Sequence, residues 1–252
     1  MQALVLRRGT HGRRQSGKTR QRLRYAAMTT TPTVGAPLLY RFPTGVSVDA
    51  AGVGSLQWPP GTGPFNAALQ AQPNPMVASI QWHAGVLTAA ECETVVALGR
   101  QLPSMAGRAE LDPENYRVSQ IAWIPPEPAN HWLYHKLGVL FLQAAGQFGY
   151  EMEGFVDALQ FTEYGPSQHF DWHMDIGRDQ TSLRKLSLTI QLSDPQDYDG
   201  GMLDFVGLGS REESRQRGSA TLFPSYMAHR VTPVTRGVRR SLVAWGSGRP
   251  FR

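Results

Sequence analysis

The stretch from Tyr164 to Asp175 places two histidines and two aspartates at every second position: His169, Asp171, His173 and Asp175. In an extended strand, successive side chains point to opposite faces, so all four would share one face. Two imidazoles and two carboxylates on one face are costly to maintain for packing alone, because buried polar groups need partners. A divalent metal ion would use these donors.

The most specific chemistry open to this set is a mononuclear non-haem Fe(II) site. Two histidines and one carboxylate bind the metal and leave positions open for a co-substrate and O2. The stretch offers two His-x-Asp pairs, His169/Asp171 and His173/Asp175, so a third ligand must come from elsewhere. His229 is the obvious supplier.

A second polar group follows His229. The segment Val238–Trp245 alternates like a strand, which places Arg239 and Ser241 on one face. A guanidinium beside a hydroxyl suits a carboxylate, which it binds through charge-assisted hydrogen bonds. An iron site next to a carboxylate receptor predicts a dicarboxylate co-substrate, bound to the metal at one end and to Arg239 at the other.

These residues belong to a longer pattern, which reads Tyr164-Gly-(x)7-His173-x-Asp175, then Gly200-Gly201, then His229-Arg-Val-Thr-Pro-Val-Thr-Arg-Gly-x-Arg239. The pattern resembles the prolyl 4-hydroxylase-like branch of the 2-oxoglutarate/Fe(II) dioxygenases. It is particularly similar to the bacterial PKHD-type hydroxylases. The resemblance covers roughly residues 80–247 and is densest over 160–245.

The resemblance implies roles for individual residues. His173, Asp175 and His229 would bind iron, and Arg239 would bind the distal carboxylate of 2-oxoglutarate. Tyr164 would be a further hydrogen-bond donor to the co-substrate.

The resemblance also chooses between the two His-x-Asp pairs. In the family the ligand histidine follows the Tyr-Gly pair by about nine residues, which selects His173/Asp175 and leaves the roles of His169 and Asp171 open.

The resemblance further implies a double-stranded β-helix (jelly roll, cupin-like) and a hydroxylation reaction. The substrate would be a C–H bond of a peptidyl (prolyl-like) or small-molecule compound, with O2 consumed and succinate and CO2 released. L-Ascorbate is implied as a reductant. The residues that select the substrate would lie in the loops 104–116, 176–184 and 207–217.

Two helices are predicted to support the site. Thr88 and Glu91 form a capping box at the start of the first, whose apolar stripe is Cys92, Val95, Val96 and Leu98. The second is predicted over His131–Gln147, with an apolar side formed by Trp132, Leu133, Leu137, Leu140 and Phe141.

Short strands between turns make up the rest of the pattern. They are predicted at Leu38–Phe42, Arg117–Trp123, Ala158–Tyr164, His169–Asp175, Leu186–Leu192, Met202–Val206, Ser219–Phe223, Ala228–Val234 and Val238–Trp245. The spacing indicates a mainly β fold with flanking helices (α+β), arranged as a sandwich or barrel.

Composition divides the chain into three parts. Residues 1–28 carry eight Lys/Arg and no acid, so the formal net charge is +5 for the whole chain but −3 for residues 29–252. This basic segment is predicted to be a disordered tail, upstream of a translation start at Met28. Residues 29–75 are predicted to form an irregular arm, because eight Pro and six Gly lie within 31–75. Order is predicted from Met76, with a dioxygenase domain over 76–252: helical support over 76–150 and a β core over 151–248.

Other classes of protein are disfavoured. No apolar run approaches the roughly 18 residues of a membrane helix. One cysteine, Cys92, excludes an internal disulfide and favours a reducing, cytoplasmic location. Nucleic-acid binding would rest on the tail alone. The oligomeric state, monomer or homodimer, is open. A catalytically silent β-helix module that senses a metal or ligand is the alternative to an enzyme.

Some polar and aromatic residues have simpler interpretations. Arg184 and Lys185 are predicted at a solvated strand edge, although an anionic substrate is the alternative. His131 and His135 are predicted to be a pair on a helix surface, since no Glu follows His131 as in a zinc-binding His-Glu-x-x-His motif. The remaining predictions are packing for Trp172 and Trp245 and surface ion pairs for Arg236 and Arg240.

Overall fold

The computed structural model describes residues 80–107 and 116–250, together with the short segments 35–37, 44–50, 54–57, 60 and 68–70. The chain divides into two units, Met1–Pro73 and Asn74–Arg252. In the described part of the chain, no helix is long and apolar enough to cross a membrane.

The first unit contains four short strands where an irregular arm was expected. They are β1 (Gly35–Pro37), β2 (Gly45–Val48), β3 (Gly54–Gln57) and β4 (Ala68–Gln70). β1 pairs with β4 and β2 with β3, both antiparallel. Pro and Gly break long strands but tolerate strands of three or four residues between them. The predictions for residues 1–28, the strand at Leu38–Phe42 and the onset of order at Met76 lie outside the described residues.

Two helices and fifteen strands are described in the second unit. The helices are α1 (Ala89–Gln101) and α2 (His131–Phe148). The strands before and beside them are β5 (Gln81–His83), β6 (Met105–Ala106), β7 (Arg117–Val118), β8 (Gln120–Ile124) and β9 (Gly154–Phe155). Those of the core are β10 (Leu159–Tyr164), β11 (His169–His173), β12 (Arg184–Gln191), β13 (Tyr198–Gly200), β14 (Leu203–Phe205), β15 (Gly209–Ser210), β16 (Ala220–Pro224), β17 (His229–Val231), β18 (Val234–Gly237) and β19 (Arg239–Ser247).

These strands form two main antiparallel sheets. The large sheet has the order β5-β16-β12-β19-β10-β8-β6, with β9 also pairing with β19. The small sheet has the order β15-β14-β17-β11-β7. β13 and β18 form a separate ribbon. The prediction of a mainly β jelly roll with flanking helices is confirmed.

The main core lies between the two helices and one face of the large sheet. In α1, Cys92 and Val95 are buried, and the capping box of Thr88 and Glu91 is formed as predicted. In α2 the buried stripe is Leu133, Leu137, Leu140, Phe141, Ala144, Ala145 and Phe148. Trp132 was assigned to this stripe wrongly: it is 36% exposed, because it precedes Leu133 and points about 100° away from it.

The opposite face of the large sheet carries polar residues. Along β12, Leu186, Leu188 and Ile190 belong to the apolar core, while Ser187, Thr189 and Gln191 alternate with them on the other face. β19 follows the same rule, with Leu242 and Ala244 in the core and with Arg239 and Ser241 on the polar side. Strand alternation therefore separates a dry helix-covered face from a polar face turned toward the small sheet.

The prediction of a solvated strand edge at Arg184 and Lys185 is wrong. Both residues lie on β12, which is flanked by β16 and β19 within the large sheet. Lys185 is 4% exposed. The Arg184 side chain is 12% exposed, and its Nε donates a hydrogen bond to Asp157 Oδ2 at 2.9 Å. Short-range sequence patterns do not show which strand is interior, and here the sheet order decides it.

Candidate functional site

Three side chains from separate elements meet at the open end between the sheets. His173 ends β11, Asp175 lies just beyond it, and His229 begins β17. One nitrogen of each histidine and one carboxylate oxygen of Asp175 all lie within 4.8 Å of one another. The Nε2 atoms of His173 and His229 are 3.7 and 3.5 Å from the Asp175 carboxylate. One metal ion could contact all three donors.

Backbone carbonyls orient both imidazoles for such a role. His173 Nδ1 donates to the carbonyl oxygen of Asp171 at 2.7 Å, and His229 Nδ1 donates to that of Met227 at 2.9 Å. A carbonyl only accepts, so each Nδ1 carries the proton and each Nε2 presents a lone pair. Hydrogen bonds of this kind set the tautomer of metal-binding histidines.

The carboxylate is held from the polar face of the large sheet. The Ser187 hydroxyl donates to Asp175 Oδ2 at 2.5 Å and lies 3.0 Å from the Ser225 hydroxyl. The Asp175 backbone N–H donates to the Ser225 carbonyl at 2.9 Å, and Arg184 Nη1 donates to the Asp175 carbonyl at 3.1 Å. Side chain and backbone are thus both fixed.

Burial and neighbouring charges set the protonation states of His173 and Asp175. Burial is the main cause that lowers the pKa of His173 to about 4, followed by the neighbouring His229. Burial opposes the charge of the Asp175 carboxylate, but His229, His173, the Ser187 hydrogen bond and Arg184 outweigh it and lower its pKa. At neutral pH, Asp175 is therefore charged and His173 is neutral.

Aromatic rings enclose the histidines. The Phe170 ring stacks on the His173 ring with centroids 3.4 Å apart. The Phe223 ring packs against His229 at 4.6 Å, and Phe205 lies beyond it at 6.0 Å. These rings shield the donors from bulk water on two sides.

A second polar group surrounds Arg239, on the polar face of the large sheet. Arg239 is 3% exposed, its Nη1 donates to the Ser241 hydroxyl at 3.2 Å, and its Cζ lies 5.5 Å from the centroid of the buried Tyr164 ring. Tyr164 pairs with Arg239 across β10 and β19. In the described part of the chain no carboxylate lies within 4 Å of Arg239, so its charge is free for a bound anion.

Arg239 lines a small pocket with a cavity volume of about 10 Å³. The lining residues are Thr189, Gln191, Tyr198, Gly201, Leu203, Ser214, Arg215, Thr221 and Arg239. Gly201 has φ +59°, and a Cβ atom there would lie 2.8 Å from the Arg239 Cδ. A side chain at this position would therefore displace the guanidinium.

The expectation that His169, Asp171, His173 and Asp175 share one face is wrong. The register of β11 with β17 shifts between Phe170 and His173, and the strand ends before Asp175. As a result Phe170 lies beside His173. Asp171 is exposed and accepts a hydrogen bond from the Trp172 backbone N–H.

His169 and Asp171 are also outside the group of possible metal donors. The ring of His169 hydrogen-bonds to the Ser167 carbonyl. Regular alternation failed here because a bulge in the strand changes which residues face the same way.

Two histidines on α2 and two tryptophans were also interpreted from the sequence. His131 and His135 are exposed on α2 and do not belong to any group of possible metal donors among the described residues. Trp245 is buried as predicted, but Trp172 is 36% exposed, with the Arg230 guanidinium 4.6 Å from its ring centroid.

The two surface arginines form the expected ion pairs. The pairs are Arg236 with Asp199 and Arg240 with Glu163, each at 2.7 Å.

Several residues that contact Asp175 or line the Arg239 pocket were not predicted from the sequence. Ser187, Thr189 and Gln191 alternate with the buried leucines of β12, and that alternation was a usable signal. For Arg184 and Arg215 no local signal exists, because their contacts come from distant segments.

Comparison with known proteins identifies the β core. Residues 159–247 match the profile described as the 2OG-Fe(II) oxygenase superfamily. They contain the three candidate ligands, Arg239 and strands β10 to β19. Residues 159–247 are therefore similar to this oxygenase superfamily.

Related sequences are PKHD-type hydroxylases. One from Caulobacter sp. (strain K31) is 42% identical over 92 residues, which cover 34% of this chain and 40% of that protein. One from Alteromonas mediterranea is 37% identical over 92 residues, which cover 34% and 41%. The chain therefore spans about two fifths of the length of the curated relatives it matches.

Solved structures resemble a larger part of the chain. A prolyl-4-hydroxylase from Pseudomonas putida is 26% identical, covers 68% of this chain and 92% of its own, and superposes with a TM-score of 0.54. A Trichoplax adhaerens prolyl hydroxylase in complex with a peptide of hypoxia inducible factor is 19% identical, covers 67% and 83%, and has a TM-score of 0.55, which shows the fold alone. The family resemblance and the double-stranded β-helix are confirmed.

The donor set fits the metal of this superfamily. Two imidazoles and one carboxylate suit Fe(II) and leave positions open, whereas a structural zinc site would be closed by a fourth protein ligand. The donors and the superfamily together support Fe(II) and 2-oxoglutarate.

Proposed function

We propose that this protein is an Fe(II)- and 2-oxoglutarate-dependent dioxygenase that hydroxylates a C–H bond. The observation that carries the proposal is the pairing of two centres in one β core: a His173/Asp175/His229 donor set, and a buried Arg239 without a carboxylate partner among the described residues. A metal centre beside an anion receptor suits a co-substrate that is a keto acid at one end and a carboxylate at the other.

The residues divide the work. His173, Asp175 and His229 hold the metal, and the Ser187 hydroxyl orients Asp175 through its hydrogen bond at 2.5 Å. Arg239 and Ser241 hold the distal carboxylate of 2-oxoglutarate, with Tyr164 against the guanidinium. When bound, Fe(II) supplies the oxygen activation that couples conversion of 2-oxoglutarate to succinate and CO2 with hydroxylation of the substrate.

The protein contributes orientation and exclusion of water. Phe170 and Phe223 cover the imidazole rings. In a site with few water molecules the ion pair between Arg239 and a carboxylate is stronger than in bulk solvent. Uniform orientation of the co-substrate follows from binding at both ends.

The substrate is proposed only by class. Relatives are named hydroxylases and a solved relative is named a prolyl-4-hydroxylase, so a peptidyl (prolyl-like) or small-molecule substrate is supported. A role for the core in nucleic-acid binding is not proposed, since residues 29–252 have a formal net charge of −3. L-Ascorbate as reductant is part of the proposal and rests on the resemblance.

We also propose a cytoplasmic location, supported by the single cysteine, Cys92, which is buried. Cell fractionation with antibody detection tests it, and enrichment in the periplasm or culture medium would overturn it.

The deciding experiment measures succinate release from 2-oxoglutarate by Fe(II)-loaded protein. The wild type should turn over slowly without substrate. His173→Ala should abolish turnover, because one of three metal donors is lost. Arg239→Ala should show turnover only at high 2-oxoglutarate concentration, while Arg236→Ala, which breaks an exposed ion pair, should match the wild type.

Absence of both turnover and 2-oxoglutarate binding in the wild type would overturn the proposal. In that case a catalytically silent module that binds a metal or ligand would be the better interpretation.

A further inference from the structure

A second arginine lines the same pocket as Arg239. Arg215 ends the short 3-10 helix Glu212–Arg215, in the segment between β15 and β16. Ser214 and Arg215 are the residues of this segment that line the pocket. Two arginines, Arg215 and Arg239, therefore line one small cavity.

Arg215 connects this segment to neighbouring parts of the protein through hydrogen bonds and a contact with the Tyr198 ring. Its Nη2 donates to the carbonyl oxygens of Pro195, at 3.0 Å, and Tyr198, at 2.7 Å. Its Cζ lies 4.6 Å from the centroid of the fully buried Tyr198 ring. The Tyr198 hydroxyl in turn accepts a hydrogen bond from the Gln191 side-chain amide at 2.7 Å. Three lining residues from separate segments are thus linked through Arg215.

The charge of Arg215 is poorly balanced by the protein. Its Nε is buried and has no hydrogen-bond partner among the described residues. The carboxylate paired with it belongs to Glu212, 3.8 Å from Nη1, and the Glu212 side chain is 80% exposed. No acidic residue is among the described residues that line the pocket. Solvent weakens the effect of an exposed carboxylate, so the cavity keeps an excess of positive charge that suits an anion.

We propose that Arg215 is a positioning residue for the distal carboxylate of 2-oxoglutarate. It joins the 211–216 segment to Tyr198, and it adds a second positive charge to the pocket that Arg239 lines. This inference rests on the proposed dioxygenase function and goes beyond the role of Arg239 in it.

The test measures 2-oxoglutarate binding by Mn(II)-loaded protein, followed by tryptophan fluorescence. Arg215→Gln should raise the Kd about tenfold, as expected for loss of one charge interaction that is partly shielded. Arg215→Lys restores the charge without the planar fork and should give an intermediate Kd.

Arg217→Gln is the matched control. Arg217 lies two residues away on the same segment, but it donates to the Ala89 carbonyl and to Glu93 and does not line the pocket. Its loss should leave the Kd for 2-oxoglutarate unchanged, whatever its effect on Tm. In turnover, Arg215→Gln should raise the KM for 2-oxoglutarate while kcat changes less than about twofold, because only co-substrate binding is weakened.

A second ligand distinguishes an effect of the Arg215 charge from an effect on the shape of the pocket. 2-Oxopentanoate has the same keto acid group but lacks the distal carboxylate, so Arg215→Gln should weaken it much less than 2-oxoglutarate. Equal weakening of both ligands, or a Kd for 2-oxoglutarate within twofold of the wild type, would overturn the inference and leave the proposed function intact. If the wild type does not bind 2-oxoglutarate at all, both the inference about Arg215 and the proposed function are wrong.

Discussion

At the scale of single residues, the candidate metal site depends on the groups that hydrogen-bond to the three donor side chains and orient them. The imidazoles are set by backbone carbonyls of Asp171 and Met227, so no side-chain substitution removes those two hydrogen bonds directly. Asp175 differs, because its carboxylate is held by a side chain, Ser187. This hydroxyl is therefore the accessible test of how orientation affects metal affinity.

Ser187→Ala should weaken binding of Mn(II) by roughly tenfold, the lower end of the range for residues that orient metal ligands. The Asp175 carboxylate would lose its donor and sample other rotamers. Ser193→Ala is the matched control, since Ser193 is equally buried but hydrogen-bonds to the backbone of Val238 and Arg240. A Mn(II) titration followed by electron paramagnetic resonance measures both, and equal affinities in the two variants would contradict the role of Ser187.

The lowered pKa of His173 predicts that the stability of the protein depends on pH. The prediction applies to protein from which a chelator has removed the metal. The pKa falls from 6.5 to about 4 on folding, chiefly through burial. Between these values the unfolded chain binds more protons than the folded one, so the free energy of unfolding decreases as pH falls from 6.5 toward 4. His173 contributes a loss on the order of 2 kcal/mol by the acid end of this window.

Urea denaturation across this pH range, with chelator present, measures the effect. His173→Gln should lose less stability than the wild type as the pH falls, while His135→Gln, on the exposed side of α2, should parallel the wild type. Parallel curves for His173→Gln and wild type would show that His173 is not protonated preferentially in the unfolded chain.

At the scale of elements, two features bring the site together. Alternation along β12 and β19 supplies Ser187 and Arg239 on the polar face. The turn between β13 and β14 then lets the chain pass close to Arg239, because Gly200 and Gly201 both have positive φ. This backbone conformation is open to glycine at little cost.

Gly201→Ala should destabilise the protein by roughly 2–4 kcal/mol, since it combines backbone strain with a Cβ placed against Arg239 and Val234. It should also raise the Kd for 2-oxoglutarate. Gly207→Ala is the control: its φ is +77°, but nothing lies within 4 Å of the added Cβ. That change should cost about 1 kcal/mol and leave the Kd unaltered. Urea denaturation and 2-oxoglutarate titration distinguish them; equal effects on both quantities would contradict the argument.

At the scale of the whole second unit, helices α1 and α2 cover only the apolar face of the large sheet. The buried cluster joins both helices to β8, β10, β12, β16 and β19. The site lies on the other face, where polar side chains are needed. Stability and chemistry are therefore assigned to opposite faces of one sheet.

Leu188→Ala, in the middle of β12, should lower the free energy of unfolding by about 2–5 kcal/mol, because its side chain is fully buried and a cavity would remain. Leu142→Ala, at a site on α2 that is 65% exposed, should change it by less than about 0.5 kcal/mol. Denaturation curves measure both. A small effect of Leu188→Ala would show that the helices do not carry the stability of the sheet.

The local features could be predicted from the sequence. The capping box of Thr88 and Glu91 is formed as expected, because both of its hydrogen bonds join residues three apart. The donor trio also lies together as expected, although side-chain chemistry and spacing left two His-x-Asp pairs open and the family resemblance chose His173 and Asp175. Periodicity predicted the buried stripe of α2, except for Trp132, and most strands of the core.

Only the tertiary structure decided the remainder. A bulge in β11 removed His169 and Asp171 from the face of His173, and the sheet order made the strand of Arg184 and Lys185 interior. Arg215 reached the pocket through carbonyls of a distant segment. Local sequence determines propensity, alternation and caps, which depend on neighbours within a few positions. Register, sheet order and the meeting of distant loops depend on packing over the whole unit, and that is a property of the assembled chain.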